Sequence, residues 1–243
     1  MKPIYGILYL VLQISLNLQP FFAQSVRIID STVLNWKSYC EQLYGPDYNL
    51  INGRRYVNLY IIADGHPFLG DNSFYRGNII INNKSYKDLE IKYDIYNQEI
   101  LLQYTYFTGN TDLIILVEKF IDGFELDGRS FRKYNFPETG PRFYQVVSHG
   151  NIFCLYYWKK VLIKGLSTHS FFAYSPEKHL SYLVIDNKIY PFKGRKSFIK
   201  LLPQQYSKEI ILYLRSNKLW IRNASDTQIR QLMDFCNELI GQK

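Results

Sequence analysis

Apolar and polar residues alternate along much of the chain between residues 54 and 192. In the run 86–93, every second residue from Leu89 to Tyr93 is apolar, and the residues between them are charged. The run 99–106 repeats this alternation, with aliphatic and tyrosine residues at every second position. A period of two residues places such side chains on one face of a β-strand, so both runs are predicted to be half-buried strands.

Short polar turns separate further strands at regular intervals. Turn residues such as Asn82-Asn83 and Asp186-Asn187 interrupt the apolar runs, with about 8–12 residues from one strand to the next. The predicted strands cover residues 77–81, 86–93, 99–106, 112–120, 142–148, 152–163, 169–174 and 180–192. This spacing is typical of antiparallel sheets, so the sequence predicts a β meander arranged as a sandwich or an open barrel.

Helical spacing of apolar residues appears near the amino terminus, over residues 31–43, and again at the carboxyl terminus. Ser225 and Gln228 have the spacing of a capping box, and a single apolar stripe runs from Ile229 to Ile240. We therefore predict a helix at each of these positions and expect the second to bury its stripe in the core.

Two shorter helices are predicted before the last one, over residues 196–202 and 207–216, with Pro203 between them.

The chain is thus predicted to be an α+β protein. Residues 24–194 would form an antiparallel β domain with an N-terminal helix, and residues 195–243 a helical segment packed on it. Composition agrees: 47% of the residues are hydrophobic and 17% aromatic, which is typical of a folded core and excludes a disordered chain.

The first 24 residues have the composition of a secretory signal peptide. Lys2 precedes an apolar run, and the small residue Ala23 marks the predicted cleavage position. The run is shorter than the ~20 apolar residues of a membrane-spanning helix, and no later segment reaches that length. We expect a mature protein of about 220 residues without a transmembrane span. Its predicted location is the periplasm or the outer membrane, or outside the cell.

The three cysteines, Cys40, Cys154 and Cys236, are an odd number, so at least one has no partner within the chain. Cys154 lies in an apolar strand and Cys236 on the apolar stripe, where free cysteine serves as a small buried hydrophobic residue. A disulfide between Cys40 and Cys236 is the alternative for an exported chain.

The sequence contains no catalytic signature. Its nearest candidates are His66 with Asp64, and an acidic segment that holds Asp122, Glu125 and Asp127. An aspartate near a histidine can orient the imidazole for base chemistry, but no nucleophile motif accompanies this pair. The acidic segment is interpreted as a turn, and it lacks the ligand order of an EF-hand. Paired carboxylates are also the catalytic groups of glycosidases.

No metal site and no cofactor are predicted. His149, His169 and His179 are separated by 20 and 10 residues, a spacing that does not require zinc. The chain also has no glycine-rich phosphate-binding loop of the nucleotide-binding type.

Basic residues cluster in two places close to aromatic residues. The predicted binding residues are Trp158, Lys159, Lys160, Lys164, Arg195 and Lys196. With 29 basic and 21 acidic residues, the chain has a formal net charge of +8, which attracts polyanions. Nucleic acid is not the expected partner of an exported protein. An anionic glycan, an anionic lipid headgroup or an envelope protein is predicted instead, and a merely solvated basic face is the alternative.

Several short stretches resemble a family of uncharacterised exported β-rich proteins of Bacteroidetes. They are Asn52-Gly53-Arg54-Arg55-Tyr56, Gly65-His66-Pro67-Phe68, the passage from Gly77 to Asp94, and the run from Lys196 to Lys218. The resemblance implies export and the type of fold but no mechanism. It also implies that Gly65-His66-Pro67 sets a turn and has no catalytic role.

Together these features favour a non-catalytic binding or structural module of the cell envelope that docks a partner protein or a surface glycan. The alternative is a secreted hydrolase that uses His66 with Asp64, or the three carboxylates of the acidic segment. A hydrolase would need these groups gathered in one concave pocket, which a structure can test.

Overall fold

The computed structural model describes residue 36 and residues 39–58, 63–164 and 170–241. The predicted signal peptide, residues 1–23, and His169 lie outside these described residues. Two compact units are distinguished. One gathers the described residues up to Tyr48 with the segment Thr105–Thr111, and the other contains the remainder of the described chain.

The described residues contain strands β1 (Arg54–Arg55), β2 (Ala63–Asp64), β3 (Tyr75–Ile81), β4 (Lys84–Asp94), β5 (Glu99–Thr105), β6 (Thr111–Ile115), β7 (Ile121–Leu126), β8 (Arg129–Phe136), β9 (Gly140–Val146), β10 (Ile152–Lys159), β11 (Leu162–Lys164), β12 (Phe172–Tyr174), β13 (Lys178–Ile185) and β14 (Lys188–Phe192). Eleven of them form one sheet in the order β1-β6-β5-β4-β3-β7-β8-β9-β10-β13-β14. Neighbouring strands are mostly consecutive in the chain and run antiparallel. The predicted fold class, α+β with a dominant antiparallel meander, is confirmed.

Hairpin turns with two left-handed residues explain why strands adjacent in sequence pair in the sheet. Asn82 and Asn83, between β3 and β4, have φ values of 48° and 64°. Asp186 and Asn187, between β13 and β14, have φ values of 49° and 59°. Positive φ at both central residues is the geometry of the type I′ turn, which matches strand twist and which Asn and Asp tolerate. These turns, visible in the sequence, fix the pairing of both hairpins.

The large sheet curls, because strands far apart in its order touch each other. β4 and β10 are five strands apart, which in a flat sheet would separate them by about 24 Å. Nevertheless Gln98, in the turn after β4, donates from Nε2 to the carbonyl oxygen of Trp158 on β10 at 3.0 Å. The N–H of Lys160 likewise donates to the carbonyl oxygen of Ile95 at 3.2 Å. The part of the sheet from β4 to β10 therefore forms an open, barrel-like curl.

Aromatic rings fill the inside of this curl. The ring of Tyr93 on β4 lies 5.1 Å from that of Phe124, 5.5 Å from Phe131 and 6.5 Å from Phe143, in edge-to-face contacts. All four side chains are buried, and the Tyr93 hydroxyl donates to Gln98 Oε1 at 2.6 Å. Because close-packed rings occupy this space, it is a core and not a ligand cavity.

Strands β7 and β8 are not predicted by the sequence pattern. Asp122 and Glu125 lie on β7, and only Asp127, with a φ of 50°, lies in the turn to β8. The interpretation of the acidic segment as one turn is therefore wrong. Phe124 and Leu126 are buried while Glu125 between them is exposed, and this burial in the sheet outweighs the turn-forming tendency of Asp and Gly.

Three helices follow β14: α2 (Arg195–Lys200), α3 (Ser207–Ser216) and α4 (Asp226–Gly241), with 3₁₀ turns at Gln204–Tyr206 and Ile221–Asn223. The predictions of the two short helices and of the long one are confirmed. The capping box is also present at the start of α4. Ser225 N donates to Gln228 Oε1 at 3.0 Å, and Gln228 N donates to Ser225 Oγ at 3.3 Å.

The apolar stripe of α4 packs on the face of β10. Leu232 and Met233 are buried in one core with Tyr156 of β10 and with residues of α2 and α3. Beside this core, Asn237 Oδ1 accepts from Ile152 N at 2.9 Å, and Asn237 Nδ2 donates to Ile152 O at 2.8 Å. The helical segment is thus joined to the sheet both by apolar burial and by hydrogen bonds.

The cysteines are free. Cys154 and Cys236 are buried in the core between β10 and α4, which agrees with the prediction of buried hydrophobic thiols, and burial raises the pKa of the Cys236 thiol to about 12. Cys40 is free and exposed, so the alternative of a Cys40–Cys236 disulfide does not hold.

The predicted N-terminal helix is present over residues 39–44 (α1), and Trp36 is also helical. Residues 31–35 and 37–38 of that prediction lie outside the described chain.

A second, small sheet has the order β11-β12-β2, and its β12–β2 pair is parallel, a pairing the sequence pattern does not predict. Over the described ranges, no helix is both long enough and apolar enough to span a bilayer.

Candidate functional site

A pocket of about 970 Å³ opens at the C-terminal helices. Three short segments line it: residues 193–197, where β14 passes into α2; Leu214 and Arg215, at the end of α3; and residues 218–223, in the connection to α4. This volume is in the range of pockets that bind small molecules or single units of a polymer.

Six basic residues line the pocket, and all six are exposed to solvent: Lys193, Arg195, Lys196, Arg215, Lys218 and Arg222. None of the residues that line it is acidic. Within the described part of the chain, no carboxylate lies within salt-bridge distance of any of the six. Like charges around one concave surface repel each other and create a positive potential, which a bound anion would relieve.

The backbone at the end of α3 holds Lys218 in a conformation that lysine rarely adopts. Lys218 N donates to Arg215 O at 3.0 Å, and Leu219 N donates to Leu214 O at 2.9 Å, which together form a Schellman motif. The motif needs a left-handed residue, and Lys218 has a φ of 48°. Glycine usually occupies this position because a Cβ atom is disfavoured there. Lys218 therefore places its charge at the pocket where the backbone alone would favour glycine.

On the opposite segment, Gly194 makes room for Arg222. A Cβ atom at Gly194 would lie 3.2 Å from Arg222 Nε, so the Arg222 side chain rests against the backbone of Gly194. Ser197 Oγ accepts from the N–H groups of Lys193 at 3.0 Å and Gly194 at 3.2 Å, which holds the segment at the start of α2. A side chain at Gly194 would therefore require the Arg222 side chain to shift by a few tenths of an ångström.

Trp220 presents a large aromatic surface at the pocket. Its side chain is 80% exposed, although the preceding residue, Leu219, is buried. Asn223 N donates to Trp220 O at 2.9 Å in the 3₁₀ turn that follows. The backbone on both sides of Trp220 is thus held, while its ring remains available for contact with a ligand.

Two of the six predicted binding residues, Arg195 and Lys196, line this pocket, and the other four do not. Lys159 lies at the end of β10 opposite Lys178, and Lys164 is exposed at the end of β11. The indole N–H of Trp158 donates to Gln145 Oε1 at 2.7 Å, so this ring is engaged within the fold. The two basic clusters of the sequence therefore do not form one site.

Lys160 is buried and serves the fold. Its ammonium donates to the backbone carbonyl oxygens of His66 at 3.0 Å and Phe68 at 2.8 Å. Burial lowers the pKa of Lys160 from its ordinary value. A ligand would have to break these two hydrogen bonds to reach the ammonium, so Lys160 is a structural residue.

Four pocket residues were not singled out as binding residues from the sequence: Arg215, Lys218, Trp220 and Arg222. The signal for them is local, because three cations and a tryptophan occur within the eight residues 215–222. Lys193 also lines the pocket and was not among the predicted binding residues. Only the fold brings these residues next to Arg195 and Lys196.

The His66 side chain makes contacts with Phe68. His66 Nδ1 accepts from the N–H of Phe68 at 3.3 Å, and its ring stacks on that of Phe68. Among the described residues, no hydrogen bond joins His66 to Asp64. Burial and then the positive charges of Lys160 and Lys92 lower the pKa of His66. These contacts tie His66 to Phe68, two residues later in the chain.

The carboxylates of the acidic segment also have separate partners. Asp122 Oδ2 accepts from Asn83 N at 2.7 Å, and Glu125 Oε2 accepts from Asn78 Nδ2 at 2.7 Å. Asp127 lies 4.0 Å from the Arg129 guanidinium. Over the part of the chain that the structure describes, no group of three acidic, histidine or cysteine side chains is arranged to hold a metal ion. The three carboxylates therefore contact different partners.

Comparison of the chain with known protein families, with curated proteins and with solved structures finds no match. The function is therefore argued from the pocket itself.

Proposed function

We propose that this protein is an exported, non-catalytic binding module of the cell envelope that docks an anionic surface glycan in the cationic pocket. The observation that carries the proposal is the set of six exposed cations around one concavity, without an acidic residue among the lining residues. A solvated basic face commonly carries interspersed carboxylates, which lower its potential. The residues of this pocket instead concentrate positive charge.

A polymer suits this pocket better than a single small anion. The cations come from three separate segments and surround a volume of about 970 Å³, so several anionic groups can be held at once. Each charge-assisted hydrogen bond contributes about 1.5–3 kcal/mol, and several weak contacts along a chain add to useful affinity. The side chains of Arg195, Arg215 and Arg222 also have the planar fork that pairs with carboxylate or sulfate oxygens.

The expected cellular location follows from the amino-terminal sequence. Residues 1–23 have the composition of a signal peptide, and the resemblance to exported proteins of Bacteroidetes supports the same location. In the envelope, anionic polysaccharides are abundant polyanions while nucleic acid is ordinarily absent. The formal net charge of +8 adds long-range attraction to such polymers.

Binding is tested with dextran sulfate and polygalacturonate, and with uncharged dextran as the negative probe. The variant Arg195→Glu/Lys218→Glu is expected to lose about a hundredfold or more in affinity for both polyanions, because each substitution replaces a favourable charge by a repulsive one. The matched control, Lys119→Glu/Lys208→Glu, changes the net charge equally at exposed positions outside the pocket. It is expected to bind within about twofold of the wild type at physiological salt, where distant exposed charges are screened.

Two results would contradict the proposal. One is that the wild-type protein binds neither polyanion. The other is that the pocket variant and the control variant lose affinity equally, since net charge and not the pocket would then determine binding.

Export is tested separately by expressing the tagged full-length chain in a bacterium with a cell envelope and fractionating the cells. The proposal expects the protein in the envelope or medium with a new amino terminus at Gln24. Recovery of the uncleaved chain from the cytoplasm would refute this part of the proposal.

A further inference from the structure

We infer that the ligand of the cationic pocket is a glycan whose sugar rings carry carboxylates, that is, a polyuronate-like chain, and that Trp220 is the residue that recognises the sugar ring. This inference rests on the proposed function and adds the chemical class of the ligand. It is carried by the position of an exposed indole among cations for which the described residues provide no acidic partner.

The exposure of Trp220 is the first observation. A tryptophan that is 80% exposed offers a flat apolar face to solvent at the pocket, and its neighbour Leu219 is buried, which holds the backbone at this point. The C–H groups of a pyranose ring carry partial positive charge and pack on the negative face of an aromatic ring. A phosphate chain has no C–H surface, and an acidic peptide such as poly-L-glutamate offers only the narrow methylene stems of its side chains, so the indole favours a sugar ring.

The arrangement of the guanidinium groups is the second observation. The Arg222 side chain lies against the backbone of Gly194, and Arg222 and Trp220 both line the pocket. A planar guanidinium pairs with a carboxylate through two parallel hydrogen bonds. A sugar ring on Trp220 would carry its carboxylate within the same pocket as Arg222 and Arg195.

The conformation of Lys218 is the third observation. Lys218 has a left-handed backbone conformation in which glycine would be less strained. Its side chain is a cation that lines the pocket. A residue retained against local strain is a sign of function when its side chain faces a site. Lys218 adds a further cation to the lining of the pocket, which suits a chain with repeated carboxylates and not one compact anion.

The test compares polymers with similar charge and different backbones. Polygalacturonate and poly-L-glutamate both carry one carboxylate per residue, but only the first has pyranose rings, and polyphosphate carries charge without any C–H surface. At equal concentrations of charged groups, the wild-type protein is expected to bind polygalacturonate about tenfold more tightly than poly-L-glutamate or polyphosphate.

The variant Trp220→Ala is expected to abolish this preference, because its affinity for polygalacturonate should fall to the level of its affinity for poly-L-glutamate. Its matched control is Phe171→Ala, which removes a ring that is 79% exposed and does not line the pocket. This control should keep the full preference. Both truncated rings are exposed, so neither substitution is expected to disturb the core.

Two results would overturn the inference and point to a different class of ligand. Equal binding of poly-L-glutamate would indicate an acidic protein partner, and tighter binding of polyphosphate that is insensitive to Trp220→Ala would indicate a phosphate ligand. In both cases the pocket would still bind anions, so the proposed anion-binding role would survive. Binding of none of the three polymers by the wild type would instead refute the proposed function itself.

Discussion

Replacement of Lys218 by glycine is expected to stabilise the protein and to weaken its binding of polyanions. A left-handed residue with a side chain costs about 1–2 kcal/mol relative to glycine. Glycine gains about 0.4–1 kcal/mol of extra entropy in the unfolded chain, which offsets part of the benefit. With Lys218 at a φ of 48°, the expected net gain in the free energy of unfolding for Lys218→Gly is about 0.5–1 kcal/mol.

Urea unfolding monitored by tryptophan fluorescence measures this gain. For an m value of about 2 kcal/mol per molar urea, the midpoint for Lys218→Gly should rise by about 0.3–0.5 M. The companion variant Lys218→Ala removes the same charge but keeps a Cβ atom in the left-handed conformation, so its midpoint should stay within about 0.2 M of wild type. Both variants lose one ammonium, and each should bind polygalacturonate about tenfold more weakly.

The reasoning fails if the two variants have the same midpoint, because the strain at this position would then be absent. It also fails if Lys218→Gly is less stable than wild type, or if either variant binds the polyanion as tightly as the wild type does. The opposite signs of the stability and binding effects in a single variant are what distinguish a functional lysine from a structural one.

Three further outcomes follow from the structure. Lys160→Met should lower the free energy of unfolding by about 1–2 kcal/mol, because two buried carbonyl oxygens lose their donor, while Lys159→Met should change it by less than about 0.5 kcal/mol in the same urea titration. Burial lowers the pKa values of His66 and His179 below that of the unfolded chain, about 6.5, so the unfolded state binds more protons as the pH falls. Stability should therefore decrease from pH 7.5 to pH 5.5, and a His66→Asn/His179→Asn variant that shows an undiminished decrease would contradict this explanation. Gly194→Ala should shift the Arg222 side chain by a few tenths of an ångström and weaken polyanion binding by about twofold with an unfolding midpoint close to wild type, and unchanged affinity would show that this contact does not position the pocket.

The sequence predicted those features of the fold whose causes are close together in the chain. The hairpin at Asn82-Asn83 and the capping box of Ser225 and Gln228 each depend on residues within a few positions of one another, and both are present. The apolar stripe of α4 likewise predicted its buried face.

The acidic segment shows where local reasoning fails. Asp122, Glu125 and Asp127 with their neighbouring glycines have the composition of a turn, but Phe124 and Leu126 are buried in the sheet. Burial of these two side chains against strands from other parts of the chain decides the conformation. A single sequence does not show which strands will be available as neighbours.

The candidate site was predicted in part for the same reason. Arg195 and Lys196 were identified from a local run of basic residues, and they do line the pocket. Lys160 belonged to an equally basic run, yet its ammonium is buried against two carbonyl oxygens of a distant loop. Local charge density does not reveal whether a lysine faces solvent or its own chain.

The order of turns and helices, the face that α4 buries and the basic character of the protein were determined by the sequence alone, because hydrogen bonding and side-chain periodicity act over a few residues. The curl that joins Gln98 to Trp158, the parallel pair of β2 and β12, and the meeting of residues 193–197 with residues 215–222 were decided only by the tertiary structure. These contacts join segments that are separated along the chain, and they form because the folded core buries the apolar surfaces of all of them together.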